Sequence, residues 1–375
     1  MQLRRRQQAV TVGGAVVAMA LGLAACSSSS STPAAAGSTP AGSGSAPAST
    51  PASSAAAASG TINAAGSTFQ LNFQQAAIAA FKSVDPSVTV NYAGVGSGTG
   101  RADLYKSTVL FAGSDSSIPS KEASEVPAGA TVLYFPVQVG PIAIAYNLSG
   151  VKGLKLDAAV LAQIFQGQIT SWNNSAIAAL NPGVSLPSTS ITLAVRSDSS
   201  GTTANFSQYL VDAAGSAWKL GTSSIVKWPS TARAGTGGSG LASIVKSTPG
   251  AIGYVDFSTA TASGLTAATI KNSAGDWVAP STASAAAAAS QVTPASNLTF
   301  LAVDQPGAGS YPITYQSWDL VYAKQPNAND VALLKAYLGY LLSSTGQQLL
   351  TSLNLTPLPT SIDSAAVAQL SQITS

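Results

Sequence analysis

The residues best equipped for chemistry cluster in "AVRSDSSGTTANF", positions 194–206. Arg196, Asp198, Ser199, Ser200, Gly201 and Thr202 stand there between an apolar run and a stretch of helical spacing. The chain is only 8% charged, so an arginine among small hydrogen-bonding residues needs a reason. A planar guanidinium can grip two oxygens of one anion. Free backbone N–H groups at a helix amino terminus favour an anion, and small residues let it come close. Three other turns share this grammar: Gly66-Ser67-Thr68-Phe69, Gly96-Ser97-Gly98-Thr99 and Phe111-Ala112-Gly113-Ser114-Asp115. Taken singly, each reads as a helix cap or a strand end. Together, the hydroxyls of Ser97, Ser200 and Thr202 add neutral donors to Arg196, enough to seat an anion without a large positive charge.

Asp115 is the misfit in such a seat. A carboxylate beside an anion is repulsive unless the ligand brings a proton to share. Phosphate near neutral pH carries one or two protons, whereas sulfate carries none. An aspartate here therefore admits the first and rejects the second by a built-in penalty, on the order of several kcal/mol once desolvated. The plainer account of Asp115 is a strand-end cap.

Composition removes many alternatives. The chain has 375 residues, 46% of them hydrophobic, enough for one large or two ordinary domains. It has no histidine, which removes Ser-His-Asp and Cys-His catalysis and most zinc sites. No metal or other cofactor is expected. The net charge of +3, from 17 basic and 14 acidic residues, lacks the clustered cations a nucleic-acid binder needs.

The basic cluster Arg4-Arg5-Arg6 belongs to an address. It precedes the apolar run "VTVGGAVVAMALGLAA", too short and too early for a stable membrane span. That run ends in Leu23-Ala24-Ala25-Cys26, which resembles a bacterial lipobox. The chain's single cysteine sits where lipidation needs it, so 1–26 reads as a lipoprotein signal peptide ending at lipidated Cys26. Residues 27–60 are all Ser, Thr, Pro, Ala or Gly. They have no large side chain to bury and read as a tether, with a random-coil reach of about 30 Å.

The elements that must position the turns follow from periodicity. Apolar residues in "STFQLNFQQAAIAAFKSVDP" have helical spacing, stopped by Asp85-Pro86. "VTVNYAGV" alternates like a strand, and "STVLFAGSD" reads as a buried one. "VLYFPVQVGPIAIAYN" predicts two strands around Gly140-Pro141. "ITLAVR" is a strand feeding the helix "GTTANFSQYLVDAA". "SSIVKW", "GAIGYVDF" and "TYQSWDLVYAK" read as strands. "LDAAVLAQIF", "NSAIAALN", "GLASIVKS", "DVALLKAYLGYLLSS" and "GQQLLTSL" read as helices. This alternation argues for α/β architecture with largely parallel sheets, which bind ligands at the carboxyl ends of strands.

The turns and their surroundings resemble the periplasmic phosphate-binding proteins, the substrate-binding components of phosphate ABC transporters. "NAAGSTF", "VNYAGVGSGTGR", "FAGSD", "SWNNSAIAALNPG", "ITLAVRSDSSGTT", "VKWP", "PGAIGYVDF" and "YPIT" all fall in family order, from about Thr61 to beyond Tyr311. The likeness weakens between Ala260 and Pro306 and in the last helices. It implies a two-lobed periplasmic-binding-protein fold of type II, with the ligand cleft between an α/β lobe I (61–136 and 258–375) and a lobe II (137–257). It implies Thr68 and, through its backbone, Phe69 as phosphate donors, with Ser97 and Asp115 on the same lobe. Arg196, Ser200, Gly201 and Thr202 face them, and Asp198 matches the acid that steadies the arginine. The implied function is high-affinity phosphate capture outside the cytoplasmic membrane by a lipid-anchored monomer, and delivery to the transmembrane subunits of an ABC permease. The alternatives are a binding lipoprotein for another oxyanion, a phosphate sensor, or a surface lipoprotein that lost binding. Three positions depart from the family habit: Ser199 where Gly is common, Leu110 where Asp is common, and Gln70 where Pro often stands. None removes a matched ligand.

An enzyme is disfavoured. Gly235-Thr236-Gly237-Gly238-Ser239-Gly240 fits G-x-G-x-x-G, with Asp256 at a suitable distance. Residues 229–233 separate it from the expected strand, so the strand–turn–helix context is missing. Ser-x-x-Lys at Ser216, Ser224 and Ser243 lacks the accompanying penicillin-binding motifs.

Overall fold

The computed structural model describes residues 58–375. The signal peptide, Cys26 and nearly all of the expected tether lie outside the described residues. The chain enters as β1 (Gly60–Gly66), then α1 (Leu71–Val84), β2 (Val88–Gly94), α2 (Ser97–Tyr105) and β3 (Phe111–Ser114). Helix α1 buries Phe73, Ala77 and Phe81 along one stripe and ends at Asp85, whose N–H returns to the Phe81 carbonyl. β1 runs parallel to both β2 and β3, so all three strands point their carboxyl ends the same way.

The next strand, β4 (Val132–Tyr146), is a single element of 15 residues rather than the two expected. Up to Pro141 it pairs antiparallel with the late strand, and from Ile142 with a strand of the other half. Proline is tolerated within a sheet where no ladder bond is lost. Pro136 adjoins the register shift opposite Ser317/Trp318, and Pro141 sits where β4 changes partner.

The other half contains β5 (Lys155–Leu156), α3 (Ala158–Phe165), α4 (Ser175–Leu180), β6 (Thr192–Arg196), α5 (Gly201–Ala214), β7 (Arg233–Gly235), α6 (Gly237–Ser247), β8 (Ala251–Asp256) and α7 (Phe257–Ala262). β6 is parallel to β7 and β8. β9 (Thr266–Ala267) pairs with the end of β4, and β10 (Thr269–Lys271) with β5 and with β11 (Trp277–Val278). The chain then returns through α8 (Thr282–Ala289) to β12 (Thr314–Tyr322) and closes with α9 (Ala328–Leu341), α10 (Ser344–Ser352) and α11 (Thr360–Gln369). The main sheet runs β2-β1-β3-β12-β4-β8-β6-β7, and β12 and β4 make it mixed, not largely parallel.

"SSIVKW" forms no strand. Its backbone serves the neighbouring loop, where the Ser224 carbonyl accepts from the Ser200 N–H at 3.0 Å. Trp228 packs instead into an aromatic cluster with Phe165 and Tyr254, at 5.8 and 5.7 Å between ring centroids. β7, α2, β1, α8 and α11 are elements that periodicity did not announce.

Gly66 ends β1 where the chain must pass very close to β3. Its φ is +148°, and a Cβ there would lie 2.1 Å from the Gly113 carbonyl oxygen. Gly66→Ala is expected to cost about 3 kcal/mol or more of folding stability, measurable by urea unfolding.

Candidate functional site

The carboxyl ends of β1, β2, β3 and β6 carry the four polar turns, and all four lead to one place. Gly66–Phe69 follows β1, Gly96 precedes α2, Ser114-Asp115 ends β3, and Arg196 ends β6 before α5. β7 adds a fifth turn into α6, so the strand–turn–helix context judged absent from 235–240 is present. Its helix amino terminus is nevertheless taken: the Gly237 N–H donates to Asp198 Oδ1 at 2.9 Å. Asp256 accepts from the Thr259 N–H and the Ser258 hydroxyl, both at 2.8 Å, and so caps α7.

The two jaws meet at α2 and α5. The Gly98 N–H donates to the Ser199 carbonyl at 3.1 Å. A Cβ on Gly201 would lie 2.6 Å from Asp115 Cβ, Asp115 Oδ2 and Ser97 Oγ alike, so only glycine allows this approach. Asn205 on α5 reaches across, donating to the Asp115 carbonyl at 2.7 Å, and Gln316 donates to the same oxygen at 3.0 Å. The structure is thus closed at this point.

On one jaw, Asp115 is 1% exposed. Ser317 donates to its Oδ1 at 2.5 Å and Ser97 to its Oδ2 at 3.3 Å. Burial pushes the Asp115 carboxyl up to about 6, while the surrounding hydroxyls, Ser317 foremost, and the Arg196 charge pull the other way. Phe69 is buried, its ring stacked on Tyr315 at 4.2 Å, and its N–H donates to Ser67 Oγ at 3.0 Å. Thr68 is half-buried and faces the start of α6, where its Oγ1 would lie 3.8 Å from a Cβ on Gly238.

On the other jaw, Arg196 and Asp198 form a fork-to-fork ion pair, Nε donating to Oδ1 at 2.8 Å and a terminal nitrogen to Oδ2. Burial works against the charge on Asp198, but the hydrogen bonds and charge of Arg196 outweigh it and hold the carboxyl below its usual range. The Arg196 N–H donates to the Tyr254 hydroxyl at 3.2 Å, fixing the end of β6. Ser200 caps α5, its Oγ accepting from the Thr203 N–H at 3.2 Å. Thr202 is buried in the first turn of that helix.

Comparison with known proteins decides the family. A model described as a PBP superfamily domain matches residues 51–345. Phosphate-binding protein PstS 3 of Mycobacterium leprae is 37% identical over 312 residues, covering 80% of this chain and 84% of the relative. The chain belongs to the PstS family of the PBP superfamily. Phosphate-binding protein PstS of Xylella fastidiosa, 36% identical over 72% of this chain and 74% of its own length, is a further relative. Among solved structures, the phosphate-binding protein from Stenotrophomonas maltophilia superposes with a TM-score of 0.66 at 19% identity, over 82% of this chain and 93% of that one. An ABC-type phosphate transport receptor from Vibrio cholerae gives 0.53 at 19% identity, over 80% and 100%. These carry the two-lobed fold expected from the sequence.

Some residues around these turns were not anticipated. Arg101 is fully buried, paired with both oxygens of Glu122 at 2.8 and 3.0 Å. It also donates to Ser114 Oγ at 3.0 Å and Ser116 Oγ at 3.1 Å, clamping the turn on both sides of Asp115. It stood inside a quoted motif, yet one arginine on a helix gives no sign of its partner. Asn205, Gln316 and Ser317 carried no local signal.

A carboxyl raised from 3.8 to about 6 by folding contributes stability that is present below the unfolded value and lost as pH rises through the folded one. Asp115→Asn removes this loss, on the order of 3 kcal/mol. The ligand-free variant is expected to melt above the parent at pH 7.5 and level with it near pH 4, as read by scanning calorimetry.

Proposed function

We propose that this protein captures inorganic phosphate outside the cytoplasmic membrane and hands it to an ABC-type phosphate permease. The observation that carries the reading is a buried carboxylate, Asp115, closed against the glycine and hydroxyl end of α5 within range of the Arg196 charge. Thr68, the Phe69 N–H (shared between the anion and Ser67 Oγ), Ser97 and Asp115 serve as the ligand set of one jaw. Arg196, Ser200, Gly201 and Thr202 serve on the other, with Asp198 aiming Arg196. Four hydroxyls, the backbone N–H groups and the guanidinium supply donors. Asp115 supplies an acceptor, useful only to an anion that still holds a proton. The lobes part and close by bending about the crossing of β4 near Pro141, as two-lobed binding proteins do. Residues 266–278, expected from the sequence in lobe I with the rest of 258–375, instead go with the lobe built on β6, β7 and β8, because they pair with β4 beyond Ile142 and with β5. The loaded, closed monomer is the form offered to the permease.

Phosphate and arsenate are expected to raise the melting temperature of the pure protein, and sulfate to leave it nearly unchanged. Calorimetric titration should show Arg196→Ala weakening phosphate roughly tenfold to a hundredfold. Equal stabilisation by sulfate would sink the role given to Asp115, and hydrolysis of phosphate esters would replace the whole reading with an enzyme.

Cys26 is the attachment point for lipid, holding the protein on the outer side of the membrane through the 27–60 tether. Among the described residues, no helix is long and apolar enough to cross a membrane. Cys26→Ser is expected to move the protein from the membrane to the soluble fraction after cell fractionation and immunoblotting.

A further inference from the structure

Behind Asp115 lies a row of buried polar side chains outside the proposed ligand set. Gln70, Gln74, Ser317 and Tyr337 are all fully buried, as is the second acid, Asp319. We propose that these four form a directed chain of hydrogen bonds, from Tyr337 through Gln74, Gln70 and Ser317, that holds Asp115 as a hydrogen-bond acceptor and so sets phosphate selection. The proposal rests on the reading of Asp115 as a ligand-binding carboxylate.

The direction of the chain follows from its neighbours. One Gln74 side-chain atom faces both oxygens of Asp319, at 3.4 and 3.2 Å. Burial pushes the Asp319 carboxyl up to about 7, so it can donate as well as accept. The direction is fixed from the far end. The Trp318 carbonyl only accepts from Gln70 Nε2, which turns Gln70 Oε1 to Gln74 and makes the facing Gln74 atom Nε2. Gln74 Oε1 then faces Tyr337, whose hydroxyl donates to it at 2.7 Å. Gln74 Nε2 also donates to Gln70 Oε1 at 3.0 Å. Gln70 Nε2 donates to the Trp318 carbonyl at 3.0 Å and to Ser317 Oγ at 2.8 Å. The contacts of Gln74 Nε2 with Asp319 and of Tyr337 with Gln74 Oε1 are compatible with this direction. Ser317 Oγ has now accepted one bond, and its single proton has two acceptors in reach. Asp115 Oδ1 is at 2.5 Å and the Ser114 carbonyl at 3.5 Å, so Asp115 takes it.

Donors arranged head to tail polarise one another, and the last of them gains most. Asp115 Oδ1 is thereby tied to the core. Oδ2 is left facing Ser97 Oγ and Gly201, the side on which the other jaw closes. Gly113 makes room for the chain: a Cβ there would lie 2.1 Å from the Tyr92 hydroxyl and 2.8 Å from Gln70 Oε1. Gln70, Gln74, Ser317 and Tyr337 are positioning residues, acting through Asp115.

The test uses the full chain and the variants Gln70→Met and Ser317→Ala, with phosphate and sulfate as the probes. Calorimetry gives the phosphate-over-sulfate affinity ratio, and carbon-13 NMR follows the Asp115 carboxyl of the ligand-free protein through pH. The other ionisable groups that sense Asp115 are Arg196, Tyr92 and Tyr315, and neither substitution replaces them. Loss of one donor to a charged group should cut the ratio about tenfold and raise the Asp115 midpoint by about one pH unit. Tyr337→Phe, which keeps the ring, stands in should Gln70→Met fail to fold, with a smaller change in the same direction. Variants that melt lower yet keep the parent's ratio and midpoint overturn the proposal, as does a change confined to Ser317→Ala. Absence of phosphate binding in the parent refutes the functional reading instead, and the Asp115 midpoint then still decides the chain.

Discussion

Burial of the Asp115 carboxylate between α2 and α5 is the constraint around which the site is arranged. A desolvated acid with a raised proton affinity is costly to keep ionised. Its surroundings are built to limit that cost without abolishing it. Hydroxyls donate to each oxygen, Asn205 and Gln316 hold its backbone carbonyl, and Arg101 secures the turn from behind. The glycine at 201 allows the opposite helix to arrive within contact of it. Replacing any of these by a larger or apolar group would relieve or worsen one term and misplace the acceptor.

The second jaw solves the opposite problem. A buried guanidinium also needs partners, and Asp198 supplies two of them while taking a further N–H from Gly237. The ion pair locks three elements together, β6, the loop before α5, and α6. The orientation of Arg196 is therefore already set, and an oriented side chain has less ordering cost left to bear in any contact it makes. The helix amino terminus that sequence reading considered for a dinucleotide is spent on this carboxylate.

Much of the candidate site was legible because its signals are local. Arg196, Ser200, Gly201 and Thr202 are neighbours in sequence and remain neighbours on one strand end and one helix turn. Asp115 stood out because a carboxylate contradicts an anion site unless it has a task. What stayed hidden depends on distant pairing. Gln70 registered only as a departure from a family habit, since its partner Ser317 lies 247 residues away. β4 was split in two because Gly140-Pro141 signals a break, and nothing local says that a change of partner strand makes the proline harmless. "SSIVKW" has strand composition, but its backbone is recruited by the cap of α5. The mixed sheet hinges on β12, whose direction no single segment can announce.

The uninterrupted course of β4 bears on how the protein moves. Both halves are stitched to the same ribbon of backbone, one up to Pro141 and the other from Ile142. The two halves are not joined by slack loops at this crossing, because the ribbon is a wall of both cores. The change of partner falls where Pro141 has no N–H to forfeit, and the Ile142 N–H beyond it still donates to the Ile313 carbonyl at 2.7 Å, so the two halves remain knit at the joint. A rotation of either half is therefore transmitted along one strand to the core of the other.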